Sequence, residues 1–182
     1  MFWGGDCPDD LIMAKLIRFI TMAEGKQLIA KEKSKFFKLA YALALGSGLR
    51  LSEVVGYEDR IKHLMPEQVD LKAHTIRLYG KGGKERITVT SPFLNETNIK
   101  FLPLRIERRA LQRRIKRLGQ RVLKRDITFH TLRHGFANFM ANEKGVPLPM
   151  VQTMLGHSRL DTTGIYTKSN PVQAIATAWE KF

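Results

Sequence analysis

Residues 130–157 read HTLRHGFANFMANEKGVPLPMVQTMLGH, and this stretch decides the fold of the C-terminal half of the chain. Apolar side chains recur in it at three- and four-residue intervals, which predicts a helix over residues 131–142. Gly145 is expected to close that helix, because glycine readily adopts the left-handed conformation of a helix end. Two prolines then lead into a short helix over residues 150–155, which is expected to stop at Gly156.

The same helical periodicity occurs in earlier parts of the chain. Asp10 is expected to cap a helix over residues 11–23, and Gly25 to end it. A Gly-Ser-Gly break is expected to separate two further helical segments. Further predicted helices cover residues 33–45, 49–55, 105–124 and 172–179, and Asp161 or Thr162 is expected to cap a short helix that carries Tyr166.

Two short segments alternate in polarity in the manner of β-strands. Residues 75–79 and 86–90 are predicted to pair as a hairpin, with the sequence GKGGK at 80–84 as its tight turn. The chain is therefore predicted to be mainly α, of the α+β class, with one small antiparallel β-sheet. The side chains expected to face each other are Ile76 and Leu78 on the first strand and Ile87 and Val89 on the second.

The composition predicts one folded and strongly basic domain. The chain has 182 residues, of which 43% are apolar, enough for one domain with a core. We expect residues 1–182 to form that domain, with residues 1–30 as a helical lead-in and residues 167–182 as a tail. A formal net charge of +14 predicts a polyanionic partner. A basic surface that only contacts water is the alternative.

The sequence carries no sign of export or of membrane insertion. Cys7 is the one cysteine, so an intramolecular disulfide and a multi-cysteine zinc site are both excluded. No apolar run approaches the roughly 20 residues that span a bilayer. Asp6, Asp9 and Asp10 lie where a signal peptide would carry positive charge. We expect a cytoplasmic protein.

Arg50 and Arg133 are candidates for holding a phosphate. Arg50 follows the Gly-Ser-Gly break, and Arg133 lies near the start of the predicted helix at residues 131–142. A guanidinium group stays charged and can bind two phosphate oxygens at once. Two such groups can therefore stabilise a phosphate whose charge increases during reaction. The alternative is that both arginines form structural ion pairs, with Glu53 as a partner for Arg50.

Tyr166 and Lys81 are candidates for the covalent chemistry. A phenol has a pKa of about 10 and needs a positive pocket or a base to react at neutral pH. A turn lysine can protonate a departing oxygen when nearby positive charge lowers its pKa. Taken alone, Tyr166 is better explained as a core aromatic residue, and Lys81 as an exposed hairpin lysine. A P-loop is excluded because Glu85, not Ser or Thr, follows Lys84.

His130 and His134 have the spacing of a zinc-binding pair, but their surroundings argue against a metal site. The acidic residue of the H-E-x-x-H motif is missing, and Arg133 between them would repel a cation. We predict no metal site.

Taken together, these features resemble the catalytic domain of the tyrosine recombinases, the family of phage integrases and Xer-like recombinases. The resemblance covers about residues 43–166. The features that carry it, in chain order, are Arg50 with Glu53 three residues later, Lys81 in YGKG, His130 and Arg133 in HTLRH, LGHS at 155–158, and TTGIYT at 162–167.

The resemblance implies a mechanism without metal, nucleotide or other cofactor. Tyr166 would attack a DNA phosphate, leaving a 3′-phosphotyrosyl link and a free 5′-hydroxyl, and the hydroxyl of a second strand would reverse the step. Arg50, Arg133 and His157 would stabilise the transition state. His130 would assist removal of the tyrosine proton, Lys81 would serve the leaving oxygen, and Glu53 would orient its neighbours.

The resemblance also implies double-stranded DNA as the partner and a homotetramer on that DNA, with the free protein a monomer or weak dimer. The setting would be prokaryotic, viral or plasmid-encoded. The C-terminal tail could pack on its own domain or be exchanged between subunits; we favour exchange. Basic side chains would contact the DNA backbone, although a solvated basic face is the alternative. They are Arg108, Arg109, Arg113, Arg114, Arg117, Arg121 and Lys84.

Two departures from the family and two rival functions stay open. Residues 57–65 resemble an insert, and about 40 residues precede the resemblance, too few for the family's N-terminal core-binding domain, which we expect to be absent. The first rival is strand cleavage and relaxation of the type IB topoisomerase kind. The second is a non-catalytic DNA-binding protein with a helix-turn-helix over residues 144–166.

Overall fold

The described part of the chain contains seven α-helices and three β-strands. This computed structural model describes residues 20–58, 60–79, 85–156 and 179. The prediction of a mainly helical α+β fold with one small antiparallel sheet is confirmed. In chain order the elements are α1 (Met22–Lys31), α2 (Lys35–Ser47), α3 (Leu51–Val55), a 3₁₀ turn (Pro66–Gln68), β1 (Val69–Asp70), β2 (Thr75–Tyr79), β3 (Glu85–Val89), α4 (Glu96–Ile99), α5 (Arg108–Leu123), α6 (Phe129–Asn138), a π-helical turn (Phe139–Glu143) and α7 (Leu148–Leu155).

Helix α2 lies at the centre of the fold. Its sequence KFFKLAYALALGS is apolar on nearly every side, and every residue from Leu39 to Ser47 is buried. A helix of this kind must be covered all round, and α1, α6 and β3 pack against it. Contrary to our expectation, Gly46 and Ser47 do not break the helix. It ends at Gly48, whose φ of 67° is left-handed.

Helix α1 begins where the sequence pattern predicted that a helix would end. The Glu24 N–H donates to the Thr21 hydroxyl at 3.1 Å, and the Thr21 N–H donates to the Glu24 carboxylate at 2.9 Å. This reciprocal cap starts a helix, so Gly25 lies in the first turn of α1 and the prediction that it ends a helix is wrong. Gly25 is needed there because a Cβ would lie 2.4 Å from the Leu45 side chain. Residues 11–19 of the predicted helix lie outside the described residues.

The sheet is antiparallel in the order β1-β2-β3. The predicted strands are present, but β1 was not predicted, and the predicted register of the hairpin is wrong by one residue. Because side chains alternate between faces, this difference places Arg86 on the inner face of β3. The observed pairs are Ile76 with Thr88 and Leu78 with Arg86, in place of Ile87 and Val89.

Helices α6 and α7 begin two residues earlier than predicted. Thr128 caps α6 by accepting a hydrogen bond from the Thr131 N–H at 3.0 Å, which satisfies one of the free donors at the helix start. The predicted helix at 131–142 continues beyond α6 as the π-helical turn. Helix α7 starts at Leu148 and ends at Gly156, whose φ is 65°.

Only one residue of the C-terminal tail is described. Trp179 is helical, and its ring stacks on His74 with centroids 3.8 Å apart and planes 15° apart. The rest of the predicted helix at 172–179, the predicted short helix that carries Tyr166 and the predicted turn at 80–84 lie outside the described residues. None of the helices described is long and apolar enough to cross a membrane.

Gly46→Ala is expected to lower the free energy of unfolding by about 1 kcal/mol. Alanine favours a helix over glycine by about 1 kcal/mol, but a Cβ at this position would lie 2.6 Å from Ser91 Cβ. Overpacking of this kind costs about 1–3 kcal/mol, so the crowding should dominate. Urea unfolding of both proteins measures the difference.

The double variant Gly46→Ala with Ser91→Gly is the control for crowding. Removal of the Ser91 side chain should make the alanine less costly than in the wild-type background. A Gly46→Ala protein as stable as the wild type would contradict this account.

Candidate active site

Arg50 is positioned by the end of α2 and the start of α3. It is the N-cap residue of α3, and its N–H donates to Glu53 Oε2 at 2.6 Å. Its guanidinium donates through Nη1 to Glu53 Oε1 at 3.1 Å and through Nη2 to the carbonyl of Gly156 at 2.9 Å. The side chain is 42% exposed. Arg50 is therefore anchored on one side and open to solvent on the other.

Arg133 is held in the interior by backbone carbonyls. It lies in the second turn of α6 and is 5% exposed. Its Nη1 donates to the carbonyl of Gly48, and its Nη2 donates to the carbonyl of Leu155 at 2.6 Å. Its Nη1 also lies 3.9 Å from Glu53 Oε2. These contacts join the ends of α2 and α7 to α6, so the guanidinium cannot change position without disturbing both ends.

A third arginine, Arg86 on β3, was not predicted from the sequence. It donates through Nη2 to Glu53 Oε2 at 2.7 Å and through Nε to Glu53 Oε1 at 3.3 Å. Its Nη1 donates to the carbonyl of Met154 at the end of α7. The correct strand register was the only signal that would have revealed it, because that register pairs Arg86 with the buried Leu78.

These contacts define the Glu53 cluster, which consists of Glu53, Arg50, Arg86 and Arg133. Burial raises the pKa of the Glu53 carboxyl. The charge and hydrogen bonds of Arg86 and the contacts of Arg50 lower it by more than burial raises it, so the pKa lies below its ordinary value. Burial and the positive charges of Arg50 and Arg86 lower the pKa of Arg133 to about 9. Because guanidinium groups in proteins stay charged at neutral pH, one carboxylate faces three cations in this cluster.

A groove of about 470 Å³ opens beside the Glu53 cluster. We call it the arginine groove. Polar and cationic side chains from α3, α5 and α6 meet in it. An anion there would be attracted by the positive charge that Glu53 leaves uncompensated. The residues lining it are Leu49, Arg50, Leu51, Ser52, Arg108, Gln112, Thr128, Phe129, His130 and Arg133.

His130 lies at the exposed mouth of the arginine groove, in the first turn of α6. Its ring centroid is 4.1 Å from that of His134, with the planes nearly perpendicular. Burial, then His130 and Arg133, lower the pKa of His134. The structure thus brings three of the predicted catalytic residues, Arg50, His130 and Arg133, to one groove. Lys81, Lys84, His157 and Tyr166 lie outside the described residues.

Comparison with known proteins supports the family resemblance that the sequence motifs predict. Residues 93–172 match the model of the phage integrase family. The chain is 30% identical over 191 residues to tyrosine recombinase XerC of Pseudomonas fluorescens, covering 95% of this chain and 60% of that protein. It is 31% identical over 182 residues to tyrosine recombinase XerD of Staphylococcus aureus, covering 88% of this chain and 58% of that protein.

The chain is similar to the phage integrase family over residues 93–172 and to these two recombinases over most of its length. It spans about three fifths of the length of these two curated relatives. A solved structure of the XerH site-specific recombinase, bound to its difH substrate before cleavage, has the same fold. The TM-score is 0.61 at 21% identity, over 89% of this chain and 54% of that chain. The family resemblance inferred from the sequence motifs is therefore confirmed.

The basic face of α5 is less uniform than the sequence suggests. Arg114 makes a bidentate ion pair with the buried Glu32, at 3.0 and 2.8 Å. Burial raises the pKa of Glu32, but the hydrogen bond with Arg114 lowers it, and the resulting pKa lies below the ordinary value. Arg114 is thus engaged in joining α5 to the end of α1. Arg117 and Arg121 are exposed and form no ion pair within the described residues.

Glu53→Gln is expected to lower the free energy of unfolding at pH 7 by about 3 kcal/mol, because it leaves three buried or half-buried guanidiniums without their counter-ion. The pKa of Glu53 is lowered by folding, so its stabilisation is complete at neutral pH and is lost as the pH falls through the folded-state pKa. The free energy of unfolding of Glu53→Gln should therefore fall less than that of the wild type as the pH is lowered. Denaturant unfolding between pH 7 and pH 3 measures both effects.

Glu85→Gln is the matched control. Glu85 forms an exposed ion pair with Arg77 at 3.2 Å, and such pairs contribute only about 0–1 kcal/mol. Equal losses of unfolding free energy in the two variants would show that the Glu53 cluster stabilises the fold no more than an exposed ion pair does.

Proposed function

We propose that this chain is the catalytic domain of a site-specific DNA recombinase. The observation that carries the proposal is the convergence of Arg50, His130 and Arg133 on one groove, beside the Glu53 carboxylate, whose single charge does not compensate the three arginines around it. A binding module has no need for a buried arginine at the base of such a groove. A phosphate that gains charge in a transition state does, because fixed donors in a site with little water stabilise it most.

In the proposed reaction, the phenolic oxygen of Tyr166 attacks the scissile phosphorus. The bond from phosphorus to the 5′ oxygen breaks, and a 3′-phosphotyrosyl link forms. His130 accepts the phenolic proton, and Lys81 returns a proton to the departing 5′ oxygen. Attack by another 5′-hydroxyl reverses these steps and joins the new strands. The phosphodiester bond energy stays in the covalent link throughout.

The described arginines have separate parts in this proposal. Arg50, half exposed, would bind one phosphate oxygen from the open side of the groove. Arg133, buried and fixed by two carbonyls, would supply charge from below. His157, the residue after Gly156 in the sequence, would add a hydrogen bond to the phosphate. Glu53 would orient the arginines without reacting.

Double-stranded DNA is the proposed substrate and partner. The basic groups supporting this are the exposed arginines of α5, and the XerH structure with its difH substrate is a precedent from the same fold. We further propose that the domain acts within a homotetramer on DNA and that the free protein is a monomer or weak dimer. Residues 167–182 would pass between subunits in that assembly.

Tyr166→Phe is expected to abolish a covalent protein–DNA adduct that the wild type forms. The phenylalanine keeps the ring but lacks the attacking oxygen. The protein is incubated at low salt with a library of nicked duplexes, which lose the short cleaved strand and so trap the adduct. Denaturing gels then separate the adduct from free protein, and sequencing of the attached strand shows where cleavage occurs.

Tyr79→Phe is the matched control, since Tyr79 is an exposed tyrosine at the end of β2. It should form the adduct at the wild-type rate. An adduct that persists in Tyr166→Phe would remove Tyr166 as the nucleophile. DNA binding without any adduct in either protein would favour a binding module.

Arg117→Ala and Arg121→Ala are expected to weaken DNA binding equally on all sequences. Each should lower the steepness of the dependence of log affinity on log salt by about 1, because each removes one contact with a phosphate. Lys26→Ala, on α1, is the control and should leave the slope unchanged. Fluorescence anisotropy at several salt concentrations measures the slopes. Unchanged slopes for both α5 variants would show that this face does not contact DNA.

A further inference from the structure

Arg108 differs from the other arginines of α5. It is the first residue of the helix, and it lines the arginine groove together with Arg50 and Arg133. Arg117 and Arg121 lie farther along the helix and line neither this groove nor the one described next. Arg108 is therefore part of the site itself, in addition to being one of the basic residues of the helix face.

Tyr57 holds the Arg108 side chain in place. The guanidinium carbon lies 4.3 Å from the centroid of the Tyr57 ring, which is the geometry of a cation–π contact. The Nε of Arg108 is buried and has no hydrogen-bond acceptor among the described residues. No carboxylate in that part of the chain pairs with Arg108 either. The group is oriented, charged and unneutralised, as a built anion contact would be.

A second groove, of about 760 Å³, shares Arg108 and Gln112 with the arginine groove. We call it the Tyr57 groove. It lies between the turn that follows α3 and the beginning of α5. The residues lining it are Val55, Gly56, Tyr57, Glu58, His63, Ile106, Glu107, Arg108, Arg109 and Gln112.

The wall of the Tyr57 groove is formed by a closed turn. The Tyr57 N–H donates to the carbonyl of Ile61 at 2.8 Å. The His63 ring packs so tightly on Gly56 that a Cβ there would lie 2.8 Å from it, and His63 Nδ1 lies 3.3 Å from the carbonyl of Leu104. These contacts fix the turn relative to the chain that leads into α5, so the groove exists before any ligand binds.

The charge of the Tyr57 groove suits an anion. Its two carboxylates are drawn toward arginines outside the lining: Glu58 lies 3.6 Å from Arg60, and Glu107 lies 3.8 Å from Arg113. Arg108 and Arg109 have no such partner among the described residues. Four arginines thus face two carboxylates, and the excess charge lies beside the groove that would hold the scissile phosphate.

We propose that Arg108, held by Tyr57, binds the DNA phosphate adjacent to the scissile one, and that the Tyr57 groove takes the sugar-phosphate segment between them. This inference rests on the proposed function. In it Arg108 is a substrate-binding residue, and Tyr57 is a positioning residue that acts through Arg108. Residues 57–65, which resemble an insert in the family, would thereby add a backbone contact to the site.

The test is a scan with neutral phosphates on a duplex that carries the trapped cleavage position. A methylphosphonate, which lacks the charge, replaces in turn each of the three phosphates on either side of the scissile one. The rate of adduct formation is measured against DNA concentration for the wild type and for Arg108→Ala. The full 182-residue chain is used throughout.

For the wild type, a neutral phosphate at one flanking position should raise the half-saturating DNA concentration about tenfold, because a charge-assisted hydrogen bond is lost there. Arg108→Ala should already have the tenfold higher half-saturating concentration on unmodified DNA. A neutral phosphate at that flanking position should then raise it no further. The maximal rate of Arg108→Ala should change much less. Its salt slope should fall by about 1.

Three further variants separate positioning from general structure. Tyr57→Phe keeps the ring and should behave as the wild type. Tyr57→Leu removes the ring and should weaken binding by a few fold at the same flanking position only. Arg121→Ala, on the same helix but outside both grooves, should stay fully sensitive to the neutral phosphate there. Thermal unfolding of each variant shows that its fold is retained.

The outcomes are distinct. If the effects of Arg108→Ala and of the neutral phosphate on DNA binding add at every position, the inference is overturned and the recombinase proposal stays intact. Wild-type behaviour of Arg108→Ala would have the same consequence. A wild type that forms no adduct on any duplex would overturn the proposed function, and this inference with it.

Discussion

Glu53 is one buried carboxylate that meets guanidinium groups from three separate elements. Arg50 comes from the start of α3, Arg86 from β3 and Arg133 from α6. Two of the three arginines also donate to carbonyls at the end of α7, and Arg50 donates to Gly156 just beyond it. The sheet, the central helices and the C-terminal helix are thus joined at one point, and the shape of the arginine groove depends on it.

The same arrangement carries an electrostatic cost that a purely structural role does not explain. Three guanidiniums share one carboxylate, and burial together with the charges of Arg50 and Arg86 lowers the pKa of Arg133 to about 9. Removing charges from water is costly unless they are paired. A phosphate in the groove would supply the missing negative charge. An anion bound there would therefore stabilise the folded protein, since it would reduce the repulsion among the three guanidiniums.

The sequence predicted the candidate site residues that lie in motifs and missed those that depend on packing. Arg50 and Arg133 were predicted because each lies in a short motif near a predicted helix start. Arg86 was missed because a strand register cannot be read from alternation alone, and a shift of one residue exchanges the two faces. Arg108 was predicted as one of several equivalent basic residues. Its particular place follows from contact with Tyr57, a residue 51 positions earlier in the chain.

The sequence by itself determined the family resemblance, the mainly helical class, the small antiparallel sheet and most helix positions, because these depend on local periodicity, capping residues and short motifs. Only the tertiary structure decided which charged groups meet. Glu32 lies 82 residues from Arg114, and Glu53 lies 33 residues from Arg86. Such pairs form because helices and strands pack their apolar faces together, and that packing carries the charged residues between them to fixed positions. The charge of each group is local, but its partner is set by the whole fold.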